Sequence, residues 1–276
     1  MNQFNTGKIP FYRFNLKGAA VLFLGAFIPT LALSTISAAV LFMFNKNIQY
    51  DHWFLILTNA MMWLGAIFAF DIFVCRKQTG QPLKFNFSSK NTTTYLTIFP
   101  MLIGMMLIAE FITLQVPTTG KFWGSWYQEF EAMMAMLTDN LTSMVIMAVI
   151  MAPVFEEIVF RGIIQKGLIN NGISPQKAIW LSAILFGLVH GNPWQLIGGI
   201  LLGYVLGLVY FKTKSLLMPI LLHAFNNGVS ALLIVFGETE SFSEFFNISE
   251  YWLLGIGLFL FFTFYMAFSR LKIYHS

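Results

Sequence analysis

Residues 141–164 read LTSMVIMAVIMAPVFEEIVFRGII. From Met144 to Val154 there is no charge, and the whole stretch exceeds the roughly 20 apolar residues needed to cross a hydrocarbon core. Glu156, Glu157 and Arg161 then follow inside the same apolar run. A charged side chain at bilayer depth costs several kcal/mol unless it is paired or faces a wet cavity, so these three are functional candidates by position. Further along, His190, His223 and Asn227 sit in equally apolar surroundings, such as Leu181 to Val189. Six polar residues in three neighbouring apolar segments suggest one site.

The rest of the chain repeats the apolar pattern. Of its 276 residues 57% are hydrophobic and 10% charged, a membrane composition. Hydropathy gives spans near Gly18 to Phe44, His52 to Cys75, Thr93 to Leu114, Leu141 to Ile164, Pro175 to His190, Pro193 to Phe211, Leu216 to Phe236 and Tyr251 to Ser269. The expected fold class is therefore all-α: a polytopic membrane protein of about eight transmembrane helices in one bundle. No Ser/Gly/Pro-rich linker or internal repeat divides it, so residues 1–276 read as one integral membrane domain with a core at 141–236. The first apolar run is too long for a cleaved signal and reads as a retained span. Cys75, the single cysteine, leaves no intramolecular disulfide and no cysteine-built metal site.

Charge orients the spans. With the N-terminus inside, all 16 basic residues except Lys46 and Lys121 fall at or toward the cytoplasmic side, including Lys8, Arg13, Lys17 and Lys272. Asp51, Glu129, Glu131, Asp139, Glu238, Glu240, Glu244 and Glu250 fall outside. This places a multi-pass protein in the cell membrane with both termini cytoplasmic. The net charge of +4 then reflects anionic lipid headgroups, and no nucleic acid is needed to explain it. Two outer segments, Phe122 to Leu137 and Ser241 to Ile248, mix aromatics with acids and should lie along the interface. Gly199, Gly203 and Gly207 recur every four residues, a bare helix face suited to close packing.

Spacing turns the six residues into a geometry. The turn chemistry of Asn170-Asn171-Gly172-Ile173-Ser174-Pro175 joins two antiparallel helices. Glu156 lies 14 residues before Asn170 and His190 lies 15 after Pro175, so both stand roughly 21 to 23 Å from the turn and level with each other. Glu157 and Arg161 are four apart on one face, the favourable order for an ion pair. His223 and Asn227 are likewise four apart, as are Phe186 and His190. A carboxylate beside an imidazole in a low-dielectric pocket moves toward the range of a general base, so Glu156 with His190 suits the deprotonation of a water. His223 and Asn227 suit the charge that develops on a carbonyl oxygen under attack. Arg161 would neutralise Glu157.

These residues also resemble a family. Glu156-Glu157-x-x-x-Arg161, Phe186-x-x-x-His190 and His223-x-x-x-Asn227 look like the three signature motifs of the CAAX protease and bacteriocin-processing (CPBP/Abi) family of intramembrane proteases, which includes the type II CAAX prenyl endopeptidases. The resemblance covers roughly Ala148 to Ser230. It implies an eight-helix core and a peptidase in which Glu156 and His190 handle water and His223 and Asn227 form the oxyanion site. The implied partners are a peptide or protein substrate at the membrane and the lipid bilayer; oligomeric state stays open.

Plainer readings stand beside this one. Glu157 and Arg161 equally suit a structural ion pair. A single intramembrane histidine more often makes an interhelical hydrogen bond than a catalytic contact. Asp71 and Glu110, near helix ends, suit snorkelling or a local partner. No cofactor is expected, with zinc at Glu156, His190 and His223 as the alternative, since a Glu and two His can make a three-ligand site. Against zinc, the H-E-x-x-H pattern is absent. Beyond hydrolysis, the same pocket suits a non-catalytic membrane partner in self-immunity or regulatory binding, or, as a lesser alternative, a proton-coupled transporter.

Overall fold

Long uncharged runs with few competing turn residues form helices because a backbone in lipid must satisfy its own hydrogen bonds. The computed structural model describes residues 11–239 and 241–273, and Lys8, Glu240 and His275 lie outside them. Among the described residues there is no strand, and the helices, numbered in chain order, are α1 (Leu16–Phe44), α2 (His52–Thr79), α3 (Thr92–Leu114), α4 (Trp123–Thr138), α5 (Leu141–Asn170), α6 (Pro175–Leu188), α7 (Pro193–Thr213), α8 (Leu217–Gly237), α9 (Phe242–Phe246) and α10 (Glu250–Arg270). Seven of them, all except α4, α6 and α9, are long and apolar enough to cross a membrane. The protein is thus a polytopic all-α membrane protein.

Seven differs from the eight spans read from hydropathy, and α6 is the reason. Its 14 residues reach only about 21 Å, short of a core about 30 Å thick. The apolar run continues to Val189, but the helix ends at Leu188, and a turn through Gly191, with φ of 70°, leads to the Asn192 cap of α7. Glycine accepts that left-handed conformation without the Cβ clash other residues meet.

Backbone contacts divide the chain into two units. The first holds residues up to Lys84 together with 166–174. Asn15 caps α1 by accepting from Gly18 N at 3.1 Å. The backbones of α1 and α2 meet at Gly25 and Gly65: a Cβ on Gly65 would stand 2.3 Å from Gly25 O. Near the end of α2 a π-helical turn, Asp71–Cys75, holds the buried Asp71. Its partners are local, Arg76 Nε at 2.8 Å and Leu83 N at 2.7 Å. The segment before α1 clasps the last turn of α5, with Phe14 N donating to Gly167 O at 3.0 Å and Asn170 Nδ2 to Tyr12 O at 2.9 Å.

The second unit, residues 85–165 and 175–276, carries the polar cluster. Its core is built by α3, α7, α8 and α10 through buried Ile98, Leu102, Val205, Leu222 and Phe268. Burying a Leu, Ile or Phe of this kind is worth about 1.5–3 kcal/mol in water, whereas in lipid the gain comes from packing itself. Accordingly the helices touch where side chains are missing: a Cβ on Gly104 of α3 would stand 2.4 Å from Phe261 N of α10. The Gly199, Gly203, Gly207 face of α7 packs in the same way, Gly199 against Gly187 and Gly203 against Ala183 and Phe186 of α6. At the ends of spans, α4 sets Tyr127 edge-on and Phe130 stacked against Trp194, and Glu110 accepts from Ser241 Oγ at 2.7 Å and Ser243 N at 3.1 Å.

Candidate active site

Glu156 and Glu157 occupy a short α-helical stretch, Ala152–Glu157, between two π-helical stretches of α5, Val145–Met151 and Ile158–Gln165. Such i→i+5 turns recur at functional sites because they re-aim side chains and release backbone groups. Here the release has a traceable cause. Ala152 N–H bonds Met147 O, five residues back, and Pro153, the next residue, has no N–H. Ala148 O is thereby left for another donor, and Asn227 Nδ2 of α8 takes it at 2.8 Å. Asn227 Oδ1 accepts from Asn226 Nδ2 at 3.0 Å, so both ends of the amide are fixed and its second N–H has a set direction.

Glu157 and Arg161 have no exposed side-chain surface and pair at 2.7 Å, Arg161 Nη1 donating to Glu157 Oε1. Arg161 Nη2 donates to Gly203 O at 3.0 Å, and its guanidinium lies 4.6 Å from the centre of the Phe186 ring. One turn on, the fully buried Gln165 repeats this contact, donating through Nε2 to Gly207 O at 2.9 Å. The bare glycine face of α7 is what lets both side chains reach main-chain carbonyls. Gln165 escapes a search for ionisable residues; the signal for it is the continuation of the Glu157, Arg161 spacing by four more residues.

His223 stands between the two glutamates. Its Nδ1 lies 3.0 Å from Glu157 Oε1 and its Nε2 lies 3.8 Å from Glu156 Oε2. Glu157, held by Arg161, acts as the acceptor, so Nδ1 carries a hydrogen, and Nε2 is the ring nitrogen that faces Glu156. Glu156 keeps 13% of its side chain exposed, and its Oε2 has no hydrogen-bond partner among the described residues. A water bonded to both Glu156 Oε2 and His223 Nε2 fits the 3.8 Å spacing as the apex of a triangle with sides of about 2.8 Å.

The sequence pairs Glu156 with His190, but the imidazole within 4 Å of Glu156 belongs to His223. His190 lies just past the end of α6 rather than within a span, because the helix stops two residues earlier. Its Nδ1 faces Phe186 O at 2.8 Å and so carries the hydrogen, leaving Nε2 as an acceptor. The Phe186 ring joins the parts: its centre lies 5.2 Å from His190 and 5.4 Å from His223, edge on to both. Among the described residues no three of His, Cys, Asp or Glu converge as a metal site, and Glu156, His190 and His223 are not drawn together as one.

The result is a buried acid, two imidazoles each anchored through Nδ1 and a fixed carboxamide within a polytopic helical membrane protein. Residues 138–229 match the family model described as Rce1-like: Type II CAAX prenyl endopeptidase Rce1-like. The match covers about one third of the chain and includes all three motifs, so this stretch is similar to that family. No curated protein and no solved structure matches the chain.

Proposed function

We propose that this protein is an intramembrane endopeptidase that hydrolyses peptide bonds of a membrane-associated protein or peptide. The observation that carries this reading is His223 set between Glu156 and Glu157, with Arg161 holding Glu157. Glu156 takes a proton from water as the water oxygen attacks the scissile carbonyl carbon. That water donates one hydrogen to Glu156 Oε2 and the other to His190 Nε2, and accepts from His223 Nε2. Negative charge gathers on the carbonyl oxygen and is met by the second N–H of Asn227 and by a hydrogen that His223 carries on Nε2 throughout the reaction. The C–N bond then breaks, and Glu156 returns its proton to the leaving amine. Glu157 and Arg161 touch no reacting atom in this scheme; they fix the aim of His223.

The protein lies in the cell membrane with both termini cytoplasmic. The direction of α7 supports this: Arg161 to Gly203 and Gln165 to Gly207 advance together, so α5 and α7 run parallel and the short α6 is the return pass between them. With the short α6 counted as a return pass beside the seven long helices, the described residues make an even number of passes.

Glu156→Gln tests the hydrolase. It preserves shape and removes the base, so cleavage of a quenched-fluorescent peptide library by the protein in lipid nanodiscs should fall to background. Cleavage undiminished in that variant assigns the pocket to binding alone, as in a self-immunity partner.

A further inference from the structure

The two hydrogen bonds between α5 and α7 share one offset. Arg161 meets Gly203 and Gln165 meets Gly207, each partner 42 residues further along the chain. A constant offset over successive steps of four means that the helices run parallel and in register at this face. One step toward the N-terminal ends of both leads to Glu157 on α5 and Gly199 on α7. A Cβ on Gly199 would stand 3.7 Å from His190 Nδ1. Extended by that step, the same offset points from Glu157 on α5 to Gly199, the α7 residue beside His190.

Resting on the hydrolase reading, we propose that Gln165 is a positioning residue: its bond to Gly207 sets the axial height of α5 against α7 and so the height of Glu156 and Glu157 relative to His190. Gln165 makes its one side-chain hydrogen bond among the described residues to Gly207 O and to none of the six site residues. It is fully buried, uncharged and anchored to a main-chain carbonyl, so it reports helix position rather than side-chain chemistry. The fit is close, since a Cβ on Gly207 would come within 2.7 Å of Gln165 Oε1. A slip of one residue along the axis is about 1.5 Å. Misplacement of about 1 Å costs on the order of a hundredfold in rate. Arg161 alone is a weak ruler, because its guanidinium is shared among Glu157, Gly203 and the Phe186 ring.

The experiment compares full-length wild type, Gln165→Leu and Gly207→Ala in lipid nanodiscs. Ring nitrogens are followed by NMR with 15N-histidine, which the chain's four histidines make assignable by single His→Gln variants. Gln165→Leu should shift the His190 and His223 ring nitrogens and leave His52 unmoved. His190 and His223 resonances superimposable on wild type overturn the proposal, whether or not any peptide is cleaved. On the library peptide that wild type cleaves fastest, kcat should fall on the order of tenfold to a hundredfold with KM little changed; unchanged kcat also overturns it. Absence of wild-type cleavage removes the hydrolase reading, while the NMR arm still decides the register. Should Gln165→Leu not fold, Gly207→Ala presses on the same bond from the other side and is read by the same two measurements.

Discussion

Glu157 accepts His223 Nδ1 at 3.0 Å on Oε1, the same oxygen that takes Arg161 Nη1 at 2.7 Å. Adjacent glutamates that look equivalent in sequence are thus unlike. One is fully buried and takes two donors on Oε1, its Oε2 having no hydrogen-bond partner among the described residues; the other keeps part of its side chain exposed and turns an unpartnered Oε2 toward an imidazole.

That difference separates stability from chemistry. Glu157→Gln leaves Arg161 buried without a counter-charge, and breaking a buried pair costs about 3–5 kcal/mol. Thermal unfolding in detergent should drop markedly for Glu157→Gln and stay near wild type for Glu156→Gln. Equal losses in the two variants would reject the division of roles.

Much of this was legible in the sequence, and the failures have physical causes. Hydropathy finds the long spans because lipid demands uninterrupted apolar helices. The spacing of four joins Glu157 to Arg161, and the Gly199, Gly203, Gly207 stripe reads as a packing face. Hydropathy overcounts at α6, because apolar residues continue through Leu188 and Val189 into a turn whose geometry is set by Gly191 and Asn192. Periodicity of 3.6 cannot register the π-helical stretches that flank Glu156. The approach of His223 to within 3.8 Å of Glu156 depends on how α8 is turned, which sequence spacing within α8 leaves open. Gln165 has meaning only opposite the carbonyl of Gly207, a tertiary fact.

Metal content follows from the directions of the imidazole nitrogens. A zinc site needs lone pairs converging about 2.0–2.2 Å from one point. His223 directs Nδ1 at Glu157 and Nε2 at Glu156, while His190 commits Nδ1 to Phe186 O. Purified protein is therefore expected to carry zinc far below one per chain, and 1,10-phenanthroline should leave peptide cleavage unchanged. Stoichiometric zinc by mass spectrometry, removed together with activity, would overturn this.

The last prediction concerns a residue that bears no polar group. Pro153 withholds an N–H where the π-helical pattern would direct one to Ala148 O, and that carbonyl fixes Asn227. Pro153→Ala restores the donor, which then competes with Asn227 Nδ2. Alanine is favoured over proline in a helix interior by about 3 kcal/mol, so the unfolding temperature should hold or rise. Turnover should fall nonetheless, because the carboxamide loses the partner that aims its second N–H. Loss of a well-placed oxyanion donor costs about a hundredfold to a thousandfold, and Asn227→Ala sets that ceiling. Pro153→Ala is expected between wild type and Asn227→Ala in kcat, with KM little moved; a stable Pro153→Ala protein with wild-type kcat would show that Ala148 O does not aim the amide.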